Sequence, residues 1–244
     1  MTEPSWYRRS LIFFKRLIER EKLLREHDKV LIAVSGGIDS LVLSDLLYRY
    51  SLRYRKSLEL LACHLNPGFP GWKTRPLEAF FKTRGIDYLI ENIDINERLK
   101  KLRKSICYFC ARERRKYLFN IAKQYQIKKI AFAHHLDDVN ETYLLNLLYS
   151  SNSSTFVIKQ DFFTNEQGEA QFYIIRPLYY FPKEFIIKYA QLYHIRPIKN
   201  RCPYEKDNER MAIRRWLTKM YKKDPKIKSN IFWGIKNIKL KYLP

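Results

Sequence analysis

No run of apolar residues in this chain approaches the ~20 that a membrane-crossing helix needs. The N-terminal segment also lacks the short apolar core of a secretion signal. Both absences predict a soluble, cytoplasmic protein with no membrane partner. Internal repeats and low-complexity linkers are missing too, so one domain with an extension is the simplest organisation for a chain long enough to bury a full core. Acidic residues are scarce: 25 Asp and Glu stand against 47 Lys and Arg, a formal charge of +22. A surplus of that size exceeds what solubility requires and points to a polyanionic partner. It is also clustered. Arg98 to Lys129 holds 12 basic residues against one acid, Glu113, and Lys183 to Lys241 holds 17 against five. From Ile130 to Ile175 the sign reverses, with Lys159 alone against six acids. Basic flanks around a less basic middle suit an RNA-binding surface beside a metal–nucleotide pocket. A lysine-rich, merely solvated surface is the plainer alternative.

One stretch organises the rest. Val30 to Val34 reads as a buried strand, Leu41 to Tyr50 has helical apolar spacing, and Ser35-Gly36-Gly37-Ile38-Asp39-Ser40 joins them. Gly36 and Gly37 permit a tight turn. Successive backbone N–H groups of such a turn, together with a helix N-terminus, form a positive cradle for phosphate. Asp39 and Ser40 then fall in the first helical turn, where they can hold a metal-bound phosphate. No G-K-[ST] follows, which excludes a Walker A loop. The alternative is an ordinary strand–turn–helix corner.

The pattern on either side predicts alternating elements. Trp6 to Glu26 is an amphipathic helix, with Leu11, Phe14, Leu17, Ile18 and Leu24 mostly on one face. Leu58 to Leu65 is a second strand, and Asn66 to Gly71 a loop. Trp72 to Arg84 is a helix stopped by Gly85, and Asp87 to Ile93 a third strand. Arg98 to Ser105 shows no clear pattern. Tyr108 to Gln126 is a helix, Lys129 to His134 a fourth strand and Val139 to Tyr149 the next helix. Thr155 to Gln171 reads as a strand pair around Asn165 to Gly168, and Ile174 to Leu178 ends a further strand. Pro182 opens a helix to His194. Asn208 to Lys222 is a basic helix, and Ile227 to Lys241 a short terminal segment. Strands and helices alternating at this pitch predict an α/β fold, a parallel sheet covered on both faces with its ligand pocket at the strands' C-terminal ends. The expected divisions are 1–28 for the N-terminal helix, 29–180 for the nucleotide-binding domain and 181–244 for a basic helical extension packed on it.

Two further groups carry chemistry. Ala133-His134-His135-Leu136-Asp137-Asp138, followed by Glu141-Thr142, lies where strand four meets a helix. Its polar groups therefore converge on the same pocket edge as Ser35 to Ser40. Adjacent histidines on a strand face opposite ways, so they do not readily clamp one ion. A nucleotide-facing histidine, with a carboxylate that caps the helix or assists Mg²⁺, fits better. The other group is Cys107-Tyr108-Phe109-Cys110 with the distant Cys202; Cys63 sits inside strand two as a buried thiol. Disulfides are rare in the cytosol, so the C-x-x-C argues for metal or redox use. Three thiolates suit an iron–sulfur cluster with one open iron. Zinc, with His64 or His194 as fourth ligand, and thiol–disulfide exchange remain equal alternatives on spacing alone.

Taken together, these motifs resemble the tRNA 2-thiocytidine synthetase family within the pyrophosphate-loop superfamily. The resemblance runs from about Lys29 to Lys239. It comprises S-G-G-x-D-S at Ser35, P-G-F-P at Pro67 to Pro70, C-x-x-C-x-R at Cys107 to Arg112, H-H-x-D-D-x-x-E-T at His134 to Thr142, and I-R-P-L at Ile175 to Leu178. It implies a doubly wound sheet of the adenine-nucleotide alpha-hydrolase type and a tRNA sulfur transferase using ATP, Mg²⁺ and a [4Fe-4S] cluster. By motif position Cys107, Cys110 and Cys202 would hold the cluster. ATP would lie on Ser35, Gly36, Gly37, Asp39 and Ser40 with His135 and Asp138, and Asp39 would hold Mg²⁺. Arg112, Arg114, Arg115, Arg214 and Arg215 are the expected tRNA contacts. A sulfur donor such as a cysteine desulfurase is the expected partner, and a homodimer is compatible with the pattern.

The implied chemistry adenylates the O2 of an anticodon-loop cytidine, splayed out of its single strand to reach the pocket. A sulfide carried on the open iron then attacks C2 and AMP departs. Three positions depart from the family pattern. Ile38 replaces the usual lysine, although the related lysidine synthetases also have an apolar residue there. Lys199 stands where many members have a further cysteine, so three sulfur ligands remain. Leu136 replaces a commonly basic residue. The rival readings are a lysidine synthetase, which gives no reason for the three thiols, and a non-catalytic RNA-binding or iron-sensing relative, which Ile38 would favour.

Overall fold

The computed structural model describes residues 4–54, 56–101, 106–164, 170–198, 202–204, 208–239 and 241. Among these residues six strands form one sheet in the order β3-β2-β1-β4-β6-β5. β1 (Lys29–Val34) lies between β2 (Glu59–Asn66) and β4 (Lys129–Ala131), parallel to both. β3 (Asp87–Asn92) extends the sheet parallel to β2. On the other side β6 (Ala170–Ile175) runs parallel to β4, and β5 (Lys159–Thr164) closes the edge antiparallel to β6. The expected strand pair corresponds to β5 and β6, but no separate further strand follows among the described residues, because β6 itself runs on to Ile175; Asn165 to Gly168 lie outside the described residues. The chain order reverses direction across the sheet between β1 and β4, and such a switch point leaves a crevice at the strands' C-terminal ends.

Alternation within β1 divides the core between the two faces, because successive side chains point oppositely. Val30, Ile32 and Val34 join one apolar cluster and Leu31 the other. The first face is covered by α1 (Ser5–Arg20), α2 (Ile38–Tyr54), α3 (Arg75–Lys82) and α7 (Lys183–Leu192), which send Phe14, Leu46, Phe81 and Tyr189 into the core. The second is covered by α4 (Asn96–Lys100) and α5 (Ile106–Gln124), through Leu99, Phe119 and Ala122. α6 (Leu136–Ser150) packs against α8 (Glu209–Lys223) and α9 (Lys226–Gly234).

Several boundaries differ from the sequence expectation. α1 stops at Arg20, because the chain turns through Lys22 at φ +50°; Leu24 is buried, but beyond the helix. α3 begins at Arg75, not Trp72, because Gly71 turns the chain at φ +73° and Pro76 falls in the first helical turn. β4 ends at Ala131, so His134 and His135 lie in the strand-to-helix connection. Their opposite orientations arise in that connection, not from strand alternation. α5 starts at Ile106, which places both Cys107 and Cys110 in its first turns. Among the described residues no helix is long and apolar enough to cross a membrane.

Candidate active site

The connection from β1 to α2 is bonded to itself. Gly36 takes φ +87°, a value that penalises a side chain, and its carbonyl accepts the N–H of Ile198 at 2.9 Å. A Cβ on Gly37 would lie 3.3 Å from Ser35 Oγ, tight enough to displace that hydroxyl. Ser35 Oγ accepts the Gly37 N–H at 3.2 Å. Ser40 Oγ donates to the Gly37 carbonyl at 2.9 Å and accepts the Ser35 N–H at 3.2 Å. Ser40 is buried, whereas Ser35 is exposed at the mouth. Asp39 stands in the first turn of α2, and its carboxylate accepts from the Lys183 ammonium.

The second motif meets this loop as its position at the end of β4 requires. His135 is the N-cap of α6, and its N–H donates to the Asp138 carboxylate at 3.0 Å. Its Nε2 lies 3.3 Å from Asp138 and 3.7 Å from Asp39, so both loops share one histidine. The ring is buried, and Nδ1 has no hydrogen-bond partner. Asp137 does a different job. It accepts the Lys183 N–H at 2.9 Å and pairs with Lys228 at 2.7 Å, tying α6 to α7 and α9. Glu141 and Thr142 likewise anchor α8: Arg214 donates to both Glu141 oxygens at 2.7 and 2.8 Å, and Arg210 to Thr142 at 2.7 Å. The acidic patch that reverses the charge of the chain thus holds its basic extension.

His134 turns away from His135. It stacks between Phe132 and Phe156, with ring centroids at 5.6 and 4.4 Å. Its Nδ1 accepts from Arg176 Nε at 3.2 Å, which leaves the proton on Nε2. Burial, with the charges of Arg176, Arg210 and Arg115, pushes its pKa down to about 3. Arg176 is itself buried and reaches the Val157 carbonyl at 2.6 Å and Gln160 at 3.3 Å; burial and Arg115 lower its pKa to about 10.

A cavity of about 340 Å³ opens between these elements. Its lining includes Ser35, Asp39, Ser40, His134 and Asp138 on the loop side and Cys63, Arg114 and Arg115 on the α5 side. Arg114 is the link to the thiols. Burial lowers its pKa, and the neighbouring Cys110, Cys202 and Cys63 partly offset this. Cys110 is pushed up by burial, with Arg114 opposing and Cys202 and Cys107 adding. Cys110 and Cys202 pack against the same apolar cluster, beside Phe109, Trp72 and Tyr204. All four cysteines are free, and buried Cys63 is raised to about 12, the inert thiol expected of strand two. Among the described residues no three His, Cys, Asp or Glu side chains converge closely enough to hold a metal ion. The donors are nonetheless the right kind: Cys110 and Cys202 are both near Arg114 at the edge of the loop cavity, Cys107 interacts with Cys110, and unbonded thiols suit thiolate ligation.

His64 does not fit the role of a fourth zinc ligand. Both its nitrogens are used, Nδ1 by the Val34 carbonyl at 2.8 Å and Nε2 by the Trp72 indole N–H at 2.9 Å. His194 lines a different cavity, with Phe80 and Pro197. The five arginines expected at tRNA divide. Arg112 is exposed over the Phe109 ring, Arg115 is exposed at the cavity lining, and Arg215 is exposed on α8. Arg114 is half-buried among the thiols, and Arg214 is engaged by Glu141. Lys183, Arg176 and Ile198 escaped sequence reasoning. Arg176 carried a signal as the charged member of Ile175-Arg176-Pro177-Leu178.

The sheet order, the glycine loop at its switch point and the carboxylates above it define a pyrophosphate-loop protein. Residues 9–221 match the family described as the PP-loop domain (ATP_bind_3). Two solved structures share the fold. They are the U34-tRNA thiolase NcsA from Methanococcus maripaludis with its [4Fe-4S] cluster (TM-score 0.75, 24% identity, 97% of this chain and 82% of that one) and the NH3-dependent NAD synthetase from Campylobacter jejuni (TM-score 0.51, 17% identity, 98% and 95%). Among curated proteins, the tRNA-cytidine(32) 2-sulfurtransferase of Syntrophotalea carbinolica is 32% identical over 226 residues, covering 91% of this chain and 85% of that one. Its namesake in Alkalilimnicola ehrlichii is 30% identical, covering 91% and 70%. The chain belongs to the tRNA-cytidine(32) 2-sulfurtransferase family, a family of PP-loop transferases.

Proposed function

We propose that this protein uses ATP to replace the O2 of a tRNA cytidine with sulfur. The observation that carries the reading is the shared cavity, in which the phosphate-type loop and Arg114, the neighbour of Cys110 and Cys202, line one space. ATP lies with its phosphates on Ser35 to Ser40, and Asp39 and Asp138 face them. Mg²⁺, when bound beside Asp39, supplies charge neutralisation to the pyrophosphate leaving group. The cytidine O2 attacks the α-phosphate, the bond to the β-phosphate oxygen breaks, and pyrophosphate leaves. The base is thereby esterified to AMP, a better leaving group than the original oxygen. Sulfur then adds at C2 and AMP departs with that oxygen.

The chain's own side chains set the stage for this exchange. His134, neutral and held by Arg176, offers a fixed Nε2–H donor at the cavity lining. Cys107, Cys110 and Cys202 would hold a [4Fe-4S] cluster, which when bound supplies a site for the incoming sulfur. The basic faces of α5 and α8 would receive the tRNA backbone. The relatives' names support tRNA as substrate, and a cysteine desulfurase is the expected class of sulfur donor. A lysidine synthetase also adenylates cytidine, but it has no use for Cys107, Cys110 and Cys202. Incubation with tRNA, ATP and a sulfide source under anaerobic conditions tests the reading. AMP, pyrophosphate and 2-thiocytidine are expected, and ADP with inorganic phosphate would remove it.

A further inference from the structure

The loop from Ser35 to Ser40 carries a single charge, and it is negative. A polyphosphate laid on it meets a carboxylate and a few N–H groups. Two of those, Ser35 N–H and Gly37 N–H, are already bonded to loop hydroxyls. Position 38, next to Asp39, is an isoleucine that packs against the core. Among the described residues, the cation that contacts the loop comes from 144 positions downstream: Lys183 Nζ donates to Asp39 Oδ1. Both side chains remain about one-third exposed (32% and 31%), so the pair stands at the mouth of the site, not in the core.

The approach of Lys183 is held by more than its side chain. Asp137 accepts its N–H at 2.9 Å while pairing with Lys228 at 2.7 Å, and the Leu136 N–H donates to the Phe181 carbonyl at 3.0 Å. Segment 181–183 is therefore fastened to the start of α6, the element that also presents His135 and Asp138 to Asp39. A Lys–Asp pair one-third exposed to solvent contributes little to stability. Its value lies in where it puts a mobile positive charge.

We infer that Lys183 is the loop's phosphate-binding cation: on nucleotide binding its ammonium moves from Asp39 to the β- and γ-phosphate oxygens. The Asp39 carboxylate, so released, would be available to hold Mg²⁺. The assignment rests on the ATP reading above. It also explains how a loop with Ile38 handles phosphate charge, since the lysine is supplied by α7 instead of by the loop.

The test is Mg²⁺–ATP and AMP binding to the full chain by calorimetry, with the melting temperature of each variant measured alone. Lys183→Met should weaken ATP about tenfold or more, the loss expected for a charged hydrogen bond. AMP, which has no β- or γ-phosphate, should be little affected. Lys183→Arg should retain most of the ATP affinity, and Lys183→Met with Ile38→Lys should recover it. Unchanged ATP affinity in Lys183→Met, or ATP and AMP weakened equally with no rescue by Ile38→Lys, would overturn the inference and leave Lys183 as a tie between α7 and α2. Wild-type protein that binds no ATP would sink the ATP reading itself, and this role with it.

Discussion

The phosphate-type loop and the thiol edge share a cavity but are built in opposite ways. Six consecutive residues make the loop, and its hydroxyls and amides are bonded to one another without any ligand. The thiols come from two segments 92 positions apart (Cys110 to Cys202), all free, with Cys110 and Cys202 near Arg114 and no disulfide among them. A loop of the first kind is preorganised and binds by shape. A set of the second kind is completed by what it binds, since metal affinity and local order are coupled. The nucleotide half of the site should therefore work without the thiol half, but not the reverse.

The largest effect should come from breaking the preorganised half. Asp39→Ala should abolish release of AMP and pyrophosphate, followed by chromatography of the nucleotide products. Iron content should stay unchanged in that variant. Next, Ser substitution at Cys107, Cys110 or Cys202 should each lose iron from anaerobically prepared protein, which otherwise carries about four irons per chain. ATP affinity should persist in all three, and Cys63→Ser should keep its iron. Stoichiometric zinc in place of iron after anaerobic reconstitution would contradict the cluster.

A smaller effect concerns acid stability on the two sides of β1. His64 is pushed down to about 4, chiefly by burial, and His134 to about 3, against an ordinary value of 6.5. The unfolded chain therefore binds more protons than the folded one below pH 6.5. Stability from both residues is full above that value and falls as pH drops toward about 4 and 3. In urea titrations between pH 5 and 6, replacing either with Gln should flatten the dependence by up to ~1.4 kcal/mol per pH unit. An unchanged slope would mean that these rings are not held neutral. The smallest effect is on tRNA affinity. Neutralising exposed Arg112, Arg115 or Arg215 should each lower the log–log salt slope by roughly 0.7–0.9. Arg214→Gln should instead cost stability, because it leaves the buried Glu141 carboxylate without its bidentate partner.

Much of this arrangement was legible in local pattern. The five apolar residues before Ser35, the paired glycines and the Asp39–Ser40 start of α2 are contiguous, so spacing alone predicts them. Pro182 and Asn208 marked the starts of α7 and α8 by their capping chemistry. What escaped was set by distant partners. The pairing of Asp39 with Lys183 spans 144 positions, and that of His134 with Arg176 spans 42. The roles of Asp137 and Asp138 separate only in three dimensions, one fastening helices and the other facing the loop. Arg114 looked like one more surface arginine, because Cys202 and Cys63 are brought to it only by the fold. The short helix α4 carries too few residues for periodicity to declare it.

One anaerobic reaction containing tRNA, ATP, a sulfide source and lysine, run with wild type and with Cys202→Ser, tests the central claim most directly. Nucleotide products and digested tRNA nucleosides are quantified from the same tube. Wild type should yield AMP, pyrophosphate and 2-thiocytidine, whereas Cys202→Ser should still bind ATP and form no thiolated nucleoside. Undiminished 2-thiocytidine from Cys202→Ser, or lysidine as the product of the wild type, would contradict the account.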